Sequence, residues 1–502
     1  MADRLGLVAL MDRHLPLSRR PLSIGTTLLL AAINRAVWPC SKRGWAAWAQ
    51  RPSLPPLFTL RPAARTSPYF WDQMDAVLAS ALEAIEADLT RKVIQEFHLP
   101  LDTLFYDTTT FFPYLASGQA RSTLAPRGHS KQQRPDLRQF SLALLVARDG
   151  QIPLYAHVYE GHVVDAQQFP DSLTAIRQRV ERIVGPSEAL TLVYDKGNNS
   201  QTNPALVDAG PGHYVASLVP KHSPDRRAIP TRMETPLGPG PCAGRPVYRC
   251  QRTLWGAERP LILCISTPLR IGQMRSLQHQ LPTRLEALQP WQQTLAKPGS
   301  GPRTATGARQ RVAAWGAGPY RNQVLTITDH ARRQGARRLA WEIDDAAMAL
   351  LDTAVFGKRL RMTDQHAWST EEILAASHGQ SQAEAACRQL KDVDHLTVRP
   401  QYHWTDQKVR VHTFVCLLAF LLCRLMERES RAAGYAGNLS HLLDLLGTIR
   451  LAMIVQPSGT QGGRPRCAWV LEEREPEAQR LSHHLVPHRP PFVYTSRVSQ
   501  SP

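Results

Sequence analysis

Lysine is scarce in this 502-residue chain: nine of its 60 basic residues are Lys, and the other 51 are Arg. The eight cysteines contain no C-x-x-C pair and have no histidine partners at zinc spacing, which excludes a disulfide framework and a zinc module. Reduced thiols in a cytoplasmic protein are the expectation. Long apolar runs are missing too. The strongest, residues 24–33 and 414–423, are too short to span a bilayer and read as buried helices. The N-terminus carries acids and shows no cleavable signal pattern. Acids are in deficit, 42 against 60 bases, for a net charge of +18 and a pI near 9.9. That imbalance favours a polyanionic partner and says nothing of fold. A guanidinium-rich surface suits bidentate phosphate contacts, although genomic base composition also favours Arg.

What is present reads as several domains. Residues 1–98 form a basic helical region. It has patches at 22–36 and 41–49, a Pro-rich break at 51–62 and a helix at 71–97. Such a unit binds DNA or serves as a packing module. From 99 to 219 the pattern turns to strands at 104–112, 139–150 (with a hairpin turn at Asp149-Gly150) and 153–161. A helix at 167–184, a strand at 190–197, a short helix and a strand at 213–219 follow. Strands first, then helix and strand in alternation, predict an α/β layer with a mixed sheet. Residues 220–368 break that order and read as a β-containing inserted domain. Its helix spans 271–296, and its stretch 301–340 holds eight Arg against one Asp, either a DNA-facing surface or a solvated loop region. Helices resume over 369–456, where Ser369 and Glu372 form a capping-box signature. The Gly-, Pro- and Arg-rich tail 457–502 is expected to be partly ordered.

Two carboxylates sit oddly. Asp107 interrupts the apolar run LFYDTTTFF, and Asp195 ends the strand LTLVY before the loop KGNNS. A carboxylate in an apolar strand is costly unless it meets positive charge, so Asp107 is either a strand end that has reached water or a metal ligand. Two strand-borne acids converge at the carboxyl edge of a sheet, and a third on a covering helix completes an oxygen site for Mg²⁺. Glu384 is the candidate third acid. It shares a helical face with Ser377, Gln380, Arg388 and Lys391. The plainer reading of Glu384 is an exposed residue paired with Arg388.

Four stretches carry a family resemblance: YDTTT (106–110), GHSKQQRPDLRQ (128–139), VYDKGNNS (193–200), and AEAACRQLKD (383–392) with its continuation to 422. In that order they resemble insertion-sequence transposases of the DDE class, whose catalytic domain is RNase H-like. The resemblance runs from about residue 34 to 428 and is weakest across 220–340. It implies that Asp107, Asp195 and Glu384 form a catalytic triad holding two Mg²⁺ ions, with Mn²⁺ as a substitute. It implies phosphate or DNA contacts for Lys391, Arg388, Lys131 and Arg134. It also implies double-stranded DNA partners, namely terminal inverted repeats and target DNA, and a homodimer on paired ends. The sequence departs from the family at Ser377, where Tyr is usual, and at GHVVD (161–165), where G-N-x-x-D is common. A catalytically inactive DNA-binding relative and a two-metal nuclease without strand transfer remain as alternatives.

Overall fold

A computed structural model describes residues 1–17, 20–51, 54, 58, 60–114, 122–128, 134–185, 190–198, 203–218, 235–238, 243–297, 310, 313–318, 320–331, 337–399, 401–456, 466–472, 475–486 and 494–497. The chain divides into two compact units, Met1–Tyr214 with His378–Pro502, and Val215–Ser377.

The first unit opens with helices α1 (Leu7–Asp12), α2 (Ile24–Val37), α3 (Trp45–Ala49), α4 (Ser67–Asp75) and α5 (Ala79–Phe97). Ser23 caps α2, its Oγ accepting from the Thr26 amide at 3.1 Å. Helix α2 is apolar nearly all round and accordingly buried; Leu28, Leu30 and Ala32 have no exposure. The basic N-terminal region is therefore packed into this unit rather than free-standing. The helix expected over 71–97 is broken between α4 and α5. There the Gln407 side chain donates to the Met74 and Val77 carbonyls, at 2.5 and 2.6 Å, in place of helical partners.

Strands β1 (Thr103–Phe111), β2 (Phe140–Ala147) and β3 (Pro153–Glu160) follow, then α6 (Asp165–Val184), β4 (Thr191–Tyr194) and the short α7 (Asn203–Asp208). The sheet order in this unit is β3-β2-β1-β4. β1 pairs antiparallel with β2 and parallel with β4, so the sheet is mixed, as the element order predicts. The β2–β3 hairpin turns at Asp149-Gly150, with Gly150 in the left-handed region (φ 74°).

In the second unit the order is β5 (His213–Ser217), β11 (Lys358–Thr363), β8 (Ala257–Ile265), β7 (Pro246–Leu254) and β6 (Thr235–Pro236). Helix α8 (Thr267–Leu295) packs Leu277 and Leu281 on Val324, Leu325, Leu351 and Phe356. These partners come from α9 (Arg321–Val324), the hairpin β9 (Leu325–Ala331) and β10 (Arg337–Ile343), and α10 (Asp345–Ala354) with the turn after it. Five of the eight arginines of the basic stretch 301–340 lie outside the described residues. Of its described arginines, Arg321 is buried and bonded to the Ala317 carbonyl, so it does not face DNA.

The division between units falls within α11 (Thr370–Gln389). The capping box at its start forms as read, with the Ser369 amide donating to Glu372 Oε2 at 2.7 Å and the Glu372 amide to Ser369 Oγ at 3.2 Å. Helix α12 (Asp406–Ala432) is longer than expected. It is apolar enough by length and composition to cross a membrane, yet 83% of its most apolar window is buried in the protein. The first unit ends with α13 (Leu439–Gly447), the small sheet β12 (Leu451–Gln456), β13 (Arg466–Leu471) and β14 (Tyr494–Arg497), and α14 (Pro476–Leu485). The described part of the tail is thus strand and helix.

Gly379 of α11 lies so close to β1 that a Cβ there would meet the Phe105 ring at 2.2 Å. Gly379→Val should therefore lift the helix from the strand and lower stability by about 1–3 kcal/mol. At Gly447 a Cβ meets nothing within 4 Å. Gly447→Ala should hold or raise the urea midpoint under the same conditions.

Candidate functional site

Along β1 every residue is buried except the fifth, Asp107, which is half-buried. The strand runs on for four residues beyond it, so Asp107 is not a strand end that has met water. It is an opening in a strand otherwise covered on both faces. Its Oδ1 accepts from the Thr108 amide at 2.8 Å.

The register of β1 against β4 places the second acid. The parallel pairs run from Thr103 with Thr191 to Tyr106 with Tyr194. The next residues in line are Asp107, still within β1, and Asp195, the first residue past the end of β4. Tyr106 and Tyr194 both turn toward α6, where their rings lie 5.5 and 4.7 Å from that of Phe169. Strand alternation then directs Phe105 and Asp107 to the opposite face.

Helix α11 covers that opposite face. Gly379 seats on Phe105, and Gln380 Nε2 donates to the Tyr106 carbonyl at 2.8 Å, a buried hydrogen bond. Past the helix end, Lys391 Nζ lies 5.5 Å from the centroid of the Phe111 ring. These contacts make α11 run alongside β1 in the same direction. Four residues of helix rise about 6 Å, or about two residues of strand, which brings Glu384 level with Asp107 and Thr108. Glu384 is exposed and in no ion pair among the described residues, so the surface pair with Arg388 does not form. Arg388 is likewise exposed. Lys391 follows the helix in a turn rather than lying on it, because α11 ends at Gln389. Among the described residues, no three His, Cys, Asp or Glu side chains are gathered into a ready-made metal cage.

The supports around the acids are polar and buried. Asn203 Nδ2 donates to the Asn198 carbonyl at 2.6 Å and the Ala166 carbonyl at 2.9 Å, tying the loop after Asp195 to the start of α6. In GHVVD, Asp165 is buried, and its Oδ1 accepts from Tyr159 Oη at 3.3 Å. Burial, then the Asp165 charge, pushes the Tyr159 phenol upward. Gly161 is required by close approach, since a Cβ there would meet the Gln139 carbonyl at 2.1 Å. Sequence reasoning passed over Asn203 and Gly379. The first carries only the signal of an Asn opening a helix, and the second only that of a glycine within one.

The remaining residues are less central. Arg134 is exposed and held bidentately by Asp136, at 2.9 and 2.8 Å from Nε and Nη2, and Lys131 lies outside the described residues. Ser377, on the second unit's part of α11, is bonded by Arg361 Nε.

No family model matches the chain, and no curated protein matches it. Among solved structures it is similar to a piggyBac transposase in a synaptic complex with hairpin DNA. That match has 7% identity over 88% of this chain and 76% of that one, with a TM-score of 0.40. It is also similar to the Mos1 transposase in a paired-end complex with the left transposon end, at 10% identity over 34% of this chain and 57% of that one, with a TM-score of 0.16. Likeness this slight leaves function to be read from the residues of the site.

Gln380→Leu removes the donor to a buried carbonyl beside Asp107 while keeping the side chain's bulk. We expect a loss of about 1–3 kcal/mol in urea unfolding; an unchanged midpoint would mean that Tyr106 is satisfied without it.

Proposed function

We propose that this chain is a transposase of the DDE class. Its RNase H-like core would be interrupted between β4 and Glu384 by an inserted unit, and it would cut the ends of a DNA element and join them to target DNA. One observation carries the reading above the rest. The β1–β4 ladder ends at Tyr106 with Tyr194, so Asp107 and Asp195 are the next residues of neighbouring chain segments, and the helix that carries Glu384 is bonded to the same end of the ladder through Gln380 and the Tyr106 carbonyl. The chain's excess of arginine is what a DNA partner calls for.

The three carboxylates would hold Mg²⁺, or Mn²⁺ in its place. An all-oxygen donor set of few carboxylates suits an ion that keeps waters and substrate oxygens as further ligands. Two such ions, when bound, supply positive charge to the attacking and departing oxygens of an in-line displacement at phosphorus. The protein's own contribution is placement. Asp107 is fixed in a strand paired on both sides, Asp195 by the loop that Asn203 ties down, and Glu384 by a helix seated directly on β1. Lys391 and Arg388 would take phosphates beside the acids, while Arg134 would have to leave Asp136 to do so. Lys131 belongs to the same proposed DNA-contacting set. Terminal inverted repeats and target DNA would be the substrates, a homodimer the form that holds two ends, and the cytoplasm its location.

A second reading has an observation of its own. Ser377 is engaged by Arg361, and Gln380 by the Tyr106 carbonyl. Two positions on the glutamate helix thus serve structure. That suits an inactive, DNA-binding relative, whereas a nuclease without strand transfer has no feature that favours it.

The test is excision in cells of a marker flanked by the gene's native flanking DNA, supplied with intact protein or with Glu384→Gln. The intact protein should remove the marker cleanly, and the variant should fall by at least about 10²-fold. Loss with neither protein, while both bind the flanks, establishes the inactive relative. Binding itself should weaken by about 10³–10⁵ between 50 and 200 mM salt if some 6–10 phosphates are contacted. A flat salt response rules out any DNA role.

A further inference from the structure

Within the first unit a cavity of about 470 Å³ opens between the turn after α2 and the segment leading into α12. Arg35, Lys42 and Arg43 line it together with Trp71, Tyr402 and His403, and no carboxylate does among the described residues. A cavity of this size takes a small organic ligand.

The cations in its wall are poorly compensated. Arg35 is fully buried. It donates from Nη1 to the Arg399 carbonyl at 3.1 Å and from Nη2 to the Cys40 carbonyl, and its Nε is buried without a partner. Lys42 is 9% exposed. Its ammonium lies 4.6 Å over the Phe70 ring, with no hydrogen-bond acceptor among the described residues. His403 is 2% exposed, and its Nδ1 is also unpartnered. Burial, then the Arg35 charge, pulls Lys42 down to about 7. Burial, then Lys42, Lys408 and Arg35, pulls His403 down to about 2. The nearby ion pair of Lys408 with Asp75, at 2.9 Å, leaves Asp75 largely exposed and outside the cavity lining. Like charges gathered in a buried wall with no counter-charge favour the entry of an anion.

The mouth has a different character. Tyr402 is 53% exposed and packs on Tyr114, itself exposed, with ring centroids 5.4 Å apart. Trp71 forms a further wall. Cations in the wall with aromatic faces beside them match a phosphate joined to a planar base, the combination by which unpaired nucleic acid is held.

We propose that this cavity binds a phosphate-bearing nucleotide unit, its phosphate against Lys42 and Arg43 and its base against Tyr402 and Trp71. The unit comes either as a free nucleotide or within an unpaired DNA strand. The site shares no residue with the acidic constellation, and its occupancy does not depend on strand cutting.

The test is binding of a 5′-phosphorylated oligo-dT of ten nucleotides, of thymidine monophosphate and of inorganic phosphate, at 150 mM salt with EDTA. The proteins are the intact chain, Lys42→Met and Tyr402→Ala. Both variants should bind the oligonucleotide about tenfold more weakly or worse. Lys42→Met should keep or raise the melting temperature, because it removes an uncompensated buried charge. Tyr402→Ala should spare whatever affinity exists for inorganic phosphate. Equal affinity for the mononucleotide and the oligonucleotide identifies a free nucleotide as the ligand; preference for the oligonucleotide identifies a strand. Oligonucleotide binding unchanged in both variants overturns the proposal. So does a Lys42→Met protein that melts early while Tyr402→Ala binds normally, since Lys42 is then structural. A failed excision assay with oligonucleotide binding preserved in the intact chain overturns only the strand-cutting reading.

Discussion

The short parallel ladder between β1 and β4 is the constraint on which the candidate site depends. Four residue pairs set its register, and a slip of one would turn Asp107 toward α6 while leaving Asp195 where it is. Each strand is pinned independently. β1 is also bonded along its length to β2, and the Tyr194 ring of β4 packs at a tilt on that of Phe169. The packing that fixes the register is aromatic and faces α6, while Asp107 uses the other face.

The helix that brings the third acid depends on smallness and on a single amide. Gly379 admits the Phe105 ring, and Gln380 reaches a strand carbonyl that the close approach brings within range. A bulkier residue at 379 would undo both contacts at once. The polar supports answer to the same logic: Asn203, Asp165 and Gly161 each serve a close or buried contact around the acids rather than the acids themselves.

Much of the first unit could be read from residues near one another in the chain. Short apolar runs gave away β1 to β3, Asp149-Gly150 the hairpin, and Ser369 with Glu372 the start of α11, because each signal lies within a few positions of what it specifies. Misreadings arose where the partner is remote. The break between α4 and α5 needs Gln407, over 300 positions away. The burial of Arg35, which no local signal announces, needs the segment before α12, where the Arg399 carbonyl accepts from its guanidinium. Asp107 resisted a local reading for the same reason: an apolar run shows that a strand is buried, but only the covering helices show which of its residues is left open. The contacts of Gly379 and Asn203 were visible only once the chain was folded.

The separation of the acids along the chain has a consequence in time. Asp195 and Glu384 are 189 positions apart. A ribosome adding 5–20 residues per second needs roughly 10–40 s to cover that gap. For that interval a nascent chain holds the segments of β1 and β4 without the helix whose Gly379 seats on Phe105 and whose Gln380 bonds the Tyr106 carbonyl, so that face of β1 stays uncovered until the chain is three-quarters made.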